Sequence, residues 1–234
     1  MRIFLTIILL IIFGAWAVIC IVLSLITSLL FFSKEPTFYF AQKIWTPVAL
    51  FLMGAKLKIT GAYNIKPNLP YIVMSNHTSY LDIPVLLKSV PLRLHFIAKK
   101  ELRVIPFLGW YLMLSDTILI DRKNTTKAKE SLSRAGQLIN KGRHVAIYPE
   151  GTTSKTGKLN SLKKGGFYLA EDAKAYIIPV HIKGTYDIWP SANKLKIKPG
   201  QVDVVIGNPI SPDELNNLPM DQRTELVRQK ILEL

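Results

Sequence analysis

A histidine and an aspartate, His77 and Asp82, stand five residues apart in the run Asn-His-Thr-Ser-Tyr-Leu-Asp that begins at residue 76. An imidazole that is held by a carboxylate keeps one tautomer and can accept a proton from an alcohol. The pair is therefore a candidate general base with the carboxylate that orients it. The spacing alone is also typical of a capping histidine followed by an unrelated aspartate in the first turn of a helix.

The surroundings of this pair favour a site at the edge of a sheet. Residues 71–74 have the composition of a buried strand, and a helix is expected to begin near Asp82. Five residues along a helix turn two side chains about 140° apart, so His77 can meet Asp82 only if it lies before the helix or at its start. The Asn, Thr and Ser residues next to His77 favour such a loop. Ligands of open α/β sheets bind at the carboxyl ends of strands.

A second polar loop follows the apolar run 145–147. It contains a carboxylate, a glycine and three hydroxyls in the segment 149–154, Pro-Glu-Gly-Thr-Thr-Ser. Backbone amides and hydroxyls in such a loop can bind phosphate oxygens or an oxyanion. The same residues would also form an ordinary proline-glycine turn, but two polar loops at the ends of two strands together favour a functional site.

Short β-rich runs alternate with helical runs from residue 56 onward. We expect strands at 56–60, 71–75, 94–98, 117–120, 144–148, 176–183 and 202–206, and helices at 83–88, 105–115, 125–140, 163–172 and 219–234. This alternation predicts an α/β domain with a mostly parallel central sheet flanked by helices. For the helix 125–140 we expect Thr125 as the N-cap and Gly142 as the stop.

The N-terminal segment 3–33 contains no charged residue. As a straight helix it would be about 46 Å long, whereas a hydrocarbon core is about 30 Å thick. A tilted span, a helix that continues into the interface, and a shallow hairpin bent at Gly14 or at Thr27-Ser28 all fit this length. A signal peptide fits less well, because the apolar region is too long and no small-residue cleavage site ends it.

The next apolar stretch, residues 38–55, is too short to span a bilayer and is flanked by lysines. It is expected to lie in the membrane interface, with Trp45 at the headgroup level, or alternatively to form a core helix. We therefore divide the chain into a membrane-anchoring segment, 1–55, and a catalytic domain, 56–234.

The chain is strongly basic, with 30 Lys and Arg, 16 Asp and Glu, and a formal charge of +14. This charge predicts a partner with an anionic surface, and the apolar segment favours anionic lipid over nucleic acid. A lone cysteine, Cys20, excludes an intramolecular disulfide and a cysteine-based metal cluster. We expect a domain that faces the cytosol at the cytoplasmic (inner) membrane.

Four blocks in the chain resemble those of the glycerophospholipid acyltransferase family, most closely the bacterial 1-acyl-glycerol-3-phosphate acyltransferases. They stand in the expected order, from the His-x4-Asp motif at 77–82, through Lys100-Glu101-Leu102 leading to Ile120-Asp121-Arg122 and Pro149-Glu150-Gly151-Thr152, to Ile178-Pro179-Val180. The resemblance covers about half of the chain. It implies transfer of an acyl group from an acyl carrier protein or coenzyme A thioester to the free hydroxyl of lysophosphatidic acid or a related lysolipid, without a metal or other cofactor.

The resemblance also implies roles for single residues. His77 would be the general base and Asp82 its orienting partner, while Arg122 would bind the substrate phosphate. We expect the remaining substrate-binding residues to be Asn76, Ser79, Lys100, Glu150, Gly151, Thr152 and Thr153.

Two positions depart from the family pattern. Thr153 stands where the third block usually has an arginine, and Asp116 stands where a glycine usually precedes the Ile-Asp-Arg sequence. The first departure removes a planar, bidentate phosphate ligand. Other cations could replace it from the lysines just downstream (Lys155, Lys158, Lys163 and Lys164), or the acceptor could be a lysolipid with another headgroup.

Overall fold

The N-terminal segment folds as a helical hairpin in the computed structural model, which describes residues 2–61, 64–66 and 68–234. The first arm is α1 (Arg2–Leu30). The second arm consists of α2 (Glu35–Tyr39), a π-helical segment (Phe40–Trp45) and α3 (Thr46–Leu52). Because α1 runs unbroken through Gly14 and Thr27, the hairpin considered within residues 3–33 is wrong, and the chain turns back only after α1 ends. Residues Ile3–Leu30 are long and apolar enough to cross a membrane.

The second arm, for which a core helix was one of the two predicted alternatives, is partly buried and partly exposed. Ala49, Leu50 and Met53 are buried in the core, whereas Tyr39 and Phe51 are exposed. One side of this arm therefore packs on the domain while the other keeps an apolar surface free.

A seven-stranded sheet forms the centre of the molecule. Its strands are β1 (Ala55–Gly61), β2 (Tyr71–Ser75), β3 (Leu94–Lys99), β4 (Ile118–Ile120), β5 (His144–Ile147), β6 (Tyr176–Lys183) and β7 (Gly200–Ile206). They lie in the order β1-β7-β6-β2-β5-β3-β4. All neighbours are parallel except β6 and β7, which are antiparallel. The predicted α/β fold with a mostly parallel sheet is confirmed.

Helices connect the strands and cover the sheet. They are α4 (Asp82–Ser89), a 3-10 turn (Lys100–Val104), α5 (Leu108–Leu114), α6 (Thr125–Asn140), α7 (Gly165–Asp172), α8 (Thr185–Ile188), α9 (Pro212–Asn216) and α10 (Met220–Glu233). The bounds expected for α6 are confirmed, but the prediction of Thr125 as its N-cap is wrong. Asn124 is the N-cap, and its side chain accepts a hydrogen bond from Lys127 N at 3.0 Å.

The core lies on both faces of the sheet, as β2 illustrates. Tyr71 and Val73 point into one apolar cluster with α3 and α4, while Ile72 and Met74 point into the other with α6, α7 and α10. β2 lies between β5 and β6. Because these three strands are parallel, their carboxyl ends bring the loops after Ser75, Ile147 and Lys183 to the same edge.

Candidate active site

His77 and Asp82 meet at this edge. His77 lies in the loop between β2 and α4, and Asp82 is the first residue of α4. His77 Nδ1 lies 2.9 Å from Asp82 Oδ2. A carboxylate oxygen only accepts, so Nδ1 donates, which leaves Nε2 of a neutral imidazole as an acceptor. The loop position is what allows the contact, as the spacing argument required.

The Asp82 carboxylate is fully buried and held by several donors. Its Oδ2 accepts hydrogen bonds from Thr78 N at 2.7 Å and Ser79 N at 2.8 Å, and its Oδ1 accepts one from Thr185 Oγ1 at 2.6 Å. These bonds fix the carboxylate plane, and through it the imidazole of His77.

Thr185 was missed by the sequence analysis. It opens α8 directly after Gly184, whose φ of +94° is in the left-handed region. A Cβ at Gly184 would lie 2.2 Å from Gln201 O, so only glycine allows the chain to turn there. A glycine directly after β6 was the one local signal, and it marks the turn without indicating that Thr185 would reach Asp82.

The second polar loop is bonded to the first. Glu150 Oε1 accepts a hydrogen bond from His77 N at 2.7 Å, and its Oε2 accepts one from Asn160 N at 2.9 Å. In the reverse direction, Ser154 N donates to His77 O at 2.7 Å. Burial raises the pKa of Glu150, although the two backbone donors oppose this. The loop therefore serves first to hold the backbone of the histidine.

Tyr148, the last residue before this loop, stacks on the imidazole. The ring centroids of Tyr148 and His77 lie 3.9 Å apart with an interplanar angle of 15°. Burial raises the pKa of Tyr148 well above its usual value, and the nearby Asp82 carboxylate raises it further. The ring stays neutral and forms an apolar wall that restricts the orientation of His77.

Three residues expected to bind substrate are instead committed inside the protein. The Asn76 side chain exchanges two 2.8 Å hydrogen bonds with the backbone of Ile182, and Ser79 Oγ donates to Trp189 O at 2.6 Å. Both side chains are buried, as is that of Glu150. Their polar atoms already have partners within the protein, an arrangement that suits the positioning of the loops, and direct contact with a substrate stays a prediction.

A cationic corner adjoins the histidine. Arg122 donates through Nη1 to Gly151 O, and Lys163 N donates to Pro149 O at 2.8 Å. The Lys163 side chain lies over Gly151, because a Cβ at this glycine would be only 3.0 Å from Lys163 Nζ. In the part of the chain that the structure describes, Lys163 Nζ has neither an ion pair nor a hydrogen bond. Two cations therefore converge on the same loop.

Lys100 is placed outside this corner. Its Nζ lies 2.6 Å from Asp121 Oδ2, which lowers the pKa of Asp121 and raises that of Lys100. It thus supports the residue next to Arg122. The other expected residues, Gly151, Thr152 and Thr153, line the same cavity as His77 and Arg122.

That cavity has a volume of about 780 Å³ and is mainly apolar. It extends from His77 and Tyr148 between the domain and the N-terminal hairpin, where Cys20 and Ile21 of α1 form part of its wall. A site with a base and cations at one end and a long apolar space at the other suits a molecule with a charged head and a hydrocarbon chain.

The sequence model of one protein family, described as Acyltransferase, matches residues 56–183. The chain belongs to the acyltransferase family. The resemblance noted in the sequence is thereby confirmed, and the matched region holds all ten of the predicted site residues.

This member of the acyltransferase family is similar to several named relatives. It is 32% identical over 189 residues to a chloroplast 1-acyl-sn-glycerol-3-phosphate acyltransferase of Arabidopsis thaliana, covering 80% of this chain and 52% of that protein. It is 34% identical over 185 residues to the 1-acyl-sn-glycerol-3-phosphate acyltransferase of Saccharomyces cerevisiae, covering 78% and 60%. The chain thus spans about half to three fifths of the length of these relatives.

A crystal structure covers nearly the same length. The 1-acyl-sn-glycerophosphate (LPA) acyltransferase of Thermotoga maritima superposes with a TM-score of 0.82 at 27% identity, covering 100% of this chain and 97% of that one. The similarity therefore includes the N-terminal hairpin. The apolar α1 and the family together indicate that the acyltransferase associates with a membrane.

Proposed function

We propose that the protein transfers a fatty acyl group from an acyl thioester to the free hydroxyl of 1-acyl-sn-glycerol-3-phosphate, giving phosphatidic acid. The observation that carries the proposal is the His77–Asp82 pair, 2.9 Å apart, at the junction of an apolar cavity and a cationic corner. The names of the Arabidopsis, yeast and Thermotoga relatives support the same acceptor.

His77 acts as the general base in this reaction. Nε2 takes the proton of the acceptor hydroxyl while its oxygen attacks the thioester carbon, and Asp82 stabilises the imidazolium that forms. The tetrahedral intermediate then collapses, the carbon–sulfur bond breaks, and the imidazolium returns the proton to the thiolate. Atoms and charge balance without a cofactor, because the thioester already carries the acyl group in activated form.

Arg122 and Lys163 bind the phosphate of the acceptor. Arg122 is held beside Gly151 by its bond to the carbonyl, and the Lys163 ammonium lies over the same glycine. Lys163 thereby supplies the second cation that Thr153 cannot supply. Thr153 in place of the family's arginine also favours an alternative class of acceptor, a lysolipid with another headgroup, such as a lysophospholipid or a lyso-aminolipid.

The apolar cavity accommodates the hydrocarbon chain of a substrate. Either acyl carrier protein or coenzyme A serves as the carrier of the thioester, since both are anionic and the protein carries +14. We propose that the hairpin anchors the enzyme among anionic lipids of the cytoplasmic (inner) membrane with the domain facing the cytosol. Nucleic acid is not a partner in this proposal.

The decisive experiment is an acceptor panel with the purified chain in vesicles. Lysophosphatidate and other lysolipids are offered with acyl carrier protein and coenzyme A thioesters, and the product is measured by mass. His77→Ala should lower the rate by about 10²–10⁴, the usual contribution of a general base, while vesicle binding persists. If the wild-type chain acylates no lysolipid, it is a non-catalytic lipid-binding module and the proposal is wrong.

Lys163→Met tests whether the cationic corner binds the phosphate. Loss of one charge-assisted contact to the phosphate should raise KM for lysophosphatidate about tenfold with little change in kcat. Lys164→Met is the matched control, because Lys164 Nζ already pairs with Asp221 at 2.7 Å. An equal KM for the two variants would contradict the role of Lys163, and preference for an acceptor that lacks a phosphate monoester would favour the alternative headgroup.

A further inference from the structure

Apolar side chains are exposed together along residues 104–113, from the end of the 3-10 turn through α5. This cluster, called here the α5 patch, comprises Val104, Ile105, Phe107, Trp110 and Met113. Val104 is 83% exposed and Trp110 is 55% exposed, and the rings of Phe107 and Trp110 are in contact at 5.5 Å. Single exposed apolar residues are ordinary, but a contiguous apolar patch indicates a surface that contacts a membrane or another molecule.

A tight backbone holds the patch in place. Phe107 has a φ of +63°, a conformation that is costly for an aromatic residue. Gly109 lies so close to the 3-10 turn that a Cβ there would be 1.9 Å from Arg103 O, and its N–H donates to Ile105 O at 2.8 Å. The chain thus keeps a strained turn that presents apolar side chains outward.

The patch is continuous with the N-terminal hairpin. α5 packs against α1, Tyr111 Oη donates to Thr37 O at 3.4 Å, and Lys34 Nζ lies 2.5 Å from Asp116 Oδ1. The surface that adjoins the patch is therefore the helix that is apolar enough to enter a bilayer.

The chemistry of the patch suits the membrane interface. Tryptophan prefers the boundary between hydrocarbon and headgroups, and cations near the surface attract anionic lipid. Arg103, exposed beside Val104, provides such a cation. A soluble protein partner would have to cover the patch and also leave room for the bilayer beside it.

The two faces of α5 differ in what they meet. Leu108, Tyr111 and Leu112 face the cavity that contains His77, whereas Trp110 and Met113 are exposed. A single helix therefore separates the cavity from whatever covers the patch.

We propose that the α5 patch inserts into the lipid leaflet that it faces, beside α1, forming a second membrane contact that places the cavity at the bilayer surface. If the proposed function holds, a lysolipid then reaches His77 without leaving the leaflet. The membrane contact itself does not depend on which reaction is catalysed.

Lipid quenching of a single label tests the contact directly. Cys20 is replaced by alanine, Val104→Cys is labelled with a polarity-sensitive fluorophore, and the full chain is reconstituted in vesicles of phosphatidylglycerol and phosphatidylethanolamine. Brominated acyl chains should quench the label at 104 several-fold more than a label on Tyr168→Cys. Tyr168 is the matched control, because it is 51% exposed but lies on α7. Equal quenching at the two positions would overturn the proposal, as would shielding of residue 104 by a second copy of the chain without quenching.

A functional measurement separates insertion from damage to the site. Val104→Glu should lower the rate on lysolipid embedded in vesicles about tenfold and leave the rate on a detergent-dispersed short-chain lysolipid unchanged, whereas Tyr168→Glu should change neither. An unaffected vesicle rate, or an equal loss on both substrates, counts against insertion. If the wild-type chain shows no acyl transfer, the proposed function fails while the quenching result still decides the membrane contact.

Discussion

At the residue scale, the His77–Asp82 pair is held by hydrogen bonds from its own loop and from two segments that are distant in the sequence. The Asp82 carboxylate accepts hydrogen bonds from the backbone after His77 and from the hydroxyl of Thr185, which follows β6. The His77 backbone is in turn held by Glu150, after β5. His77, the proposed base, is therefore oriented from the ends of β2, β5 and β6 rather than by the His-x4-Asp loop alone.

Thr185→Val tests this arrangement. Removal of one hydrogen bond to a buried carboxylate costs roughly 1.5–3 kcal/mol, so kcat should fall by about 10- to 100-fold, with KM nearly unchanged. Thr185→Ser keeps the hydroxyl and should retain most of the activity. Steady-state kinetics of the two variants check the role, and a valine variant with wild-type kcat would contradict it.

At the element scale, the strands carry histidines that do not belong to the site. Burial lowers the pKa of His95 on β3 from 6.5 to about 4, with further contributions from Arg143 and Arg93. Burial, together with the smaller effect of the positive charge of Lys183, also lowers the pKa of His181 on β6 to about 4. In the unfolded chain both would titrate near 6.5.

These histidines predict acid lability. Between about pH 6.5 and pH 4 the unfolded chain binds protons that the folded chain excludes, so the free energy of unfolding falls as the pH is lowered through this window. For His95 the loss is at most about 3 kcal/mol. His95→Leu should reduce the difference in unfolding midpoint between pH 7 and pH 5, measured in detergent.

Phe38→Leu is the control for this measurement. Its ring contacts His95 at a centroid distance of 4.8 Å, so the variant removes packing but keeps the titrating group. A pH dependence that is the same in both variants would exclude His95 as its source.

At the scale of the whole molecule, charge and apolar surface act together. The chain carries +14 in total, and all of this except Arg2 lies beyond residue 33. The apolar hairpin and the cavity share a wall, so the membrane that receives α1 adjoins the site. If the proposed function holds, a basic domain held there would concentrate anionic lipid and an anionic acyl carrier.

The activity should therefore depend on salt when the host lipid is anionic. Raising the ionic strength from about 0.05 M to 0.5 M shortens the Debye length severalfold, so the rate in phosphatidylglycerol vesicles should fall several-fold toward the rate in neutral vesicles. Neutral phosphatidylcholine vesicles are the control, in which salt should have a smaller effect. A rate that salt does not change in anionic vesicles would show that the net charge has no part in substrate delivery.

The sequence by itself determined those features that depend on local order. Alternating β-rich and helical runs predicted the seven strands and the bounds of α6, because periodicity is a property of consecutive residues. For the same reason, the sequence alone showed the spacing of His77 and Asp82 and the apolar character of residues 3–33. The bend expected at Gly14 or at Thr27-Ser28 is wrong, because α1 continues through both places. A single glycine is tolerated within a helix, and the Thr27 hydroxyl donates to Leu23 O of the preceding turn at 2.7 Å.

Only the tertiary structure decided what surrounds His77. Thr185 and Tyr148 lie 108 and 71 residues from His77 along the chain, and the parallel pairing of β2 with β5 and β6 brings them to one edge. The same pairing commits Asn76 and Glu150 to backbone partners and places Lys163 over Gly151. The physical reason is that a hydrogen bond depends on distance in space and on which partners are left unpaired, and neither can be obtained from spacing along the chain.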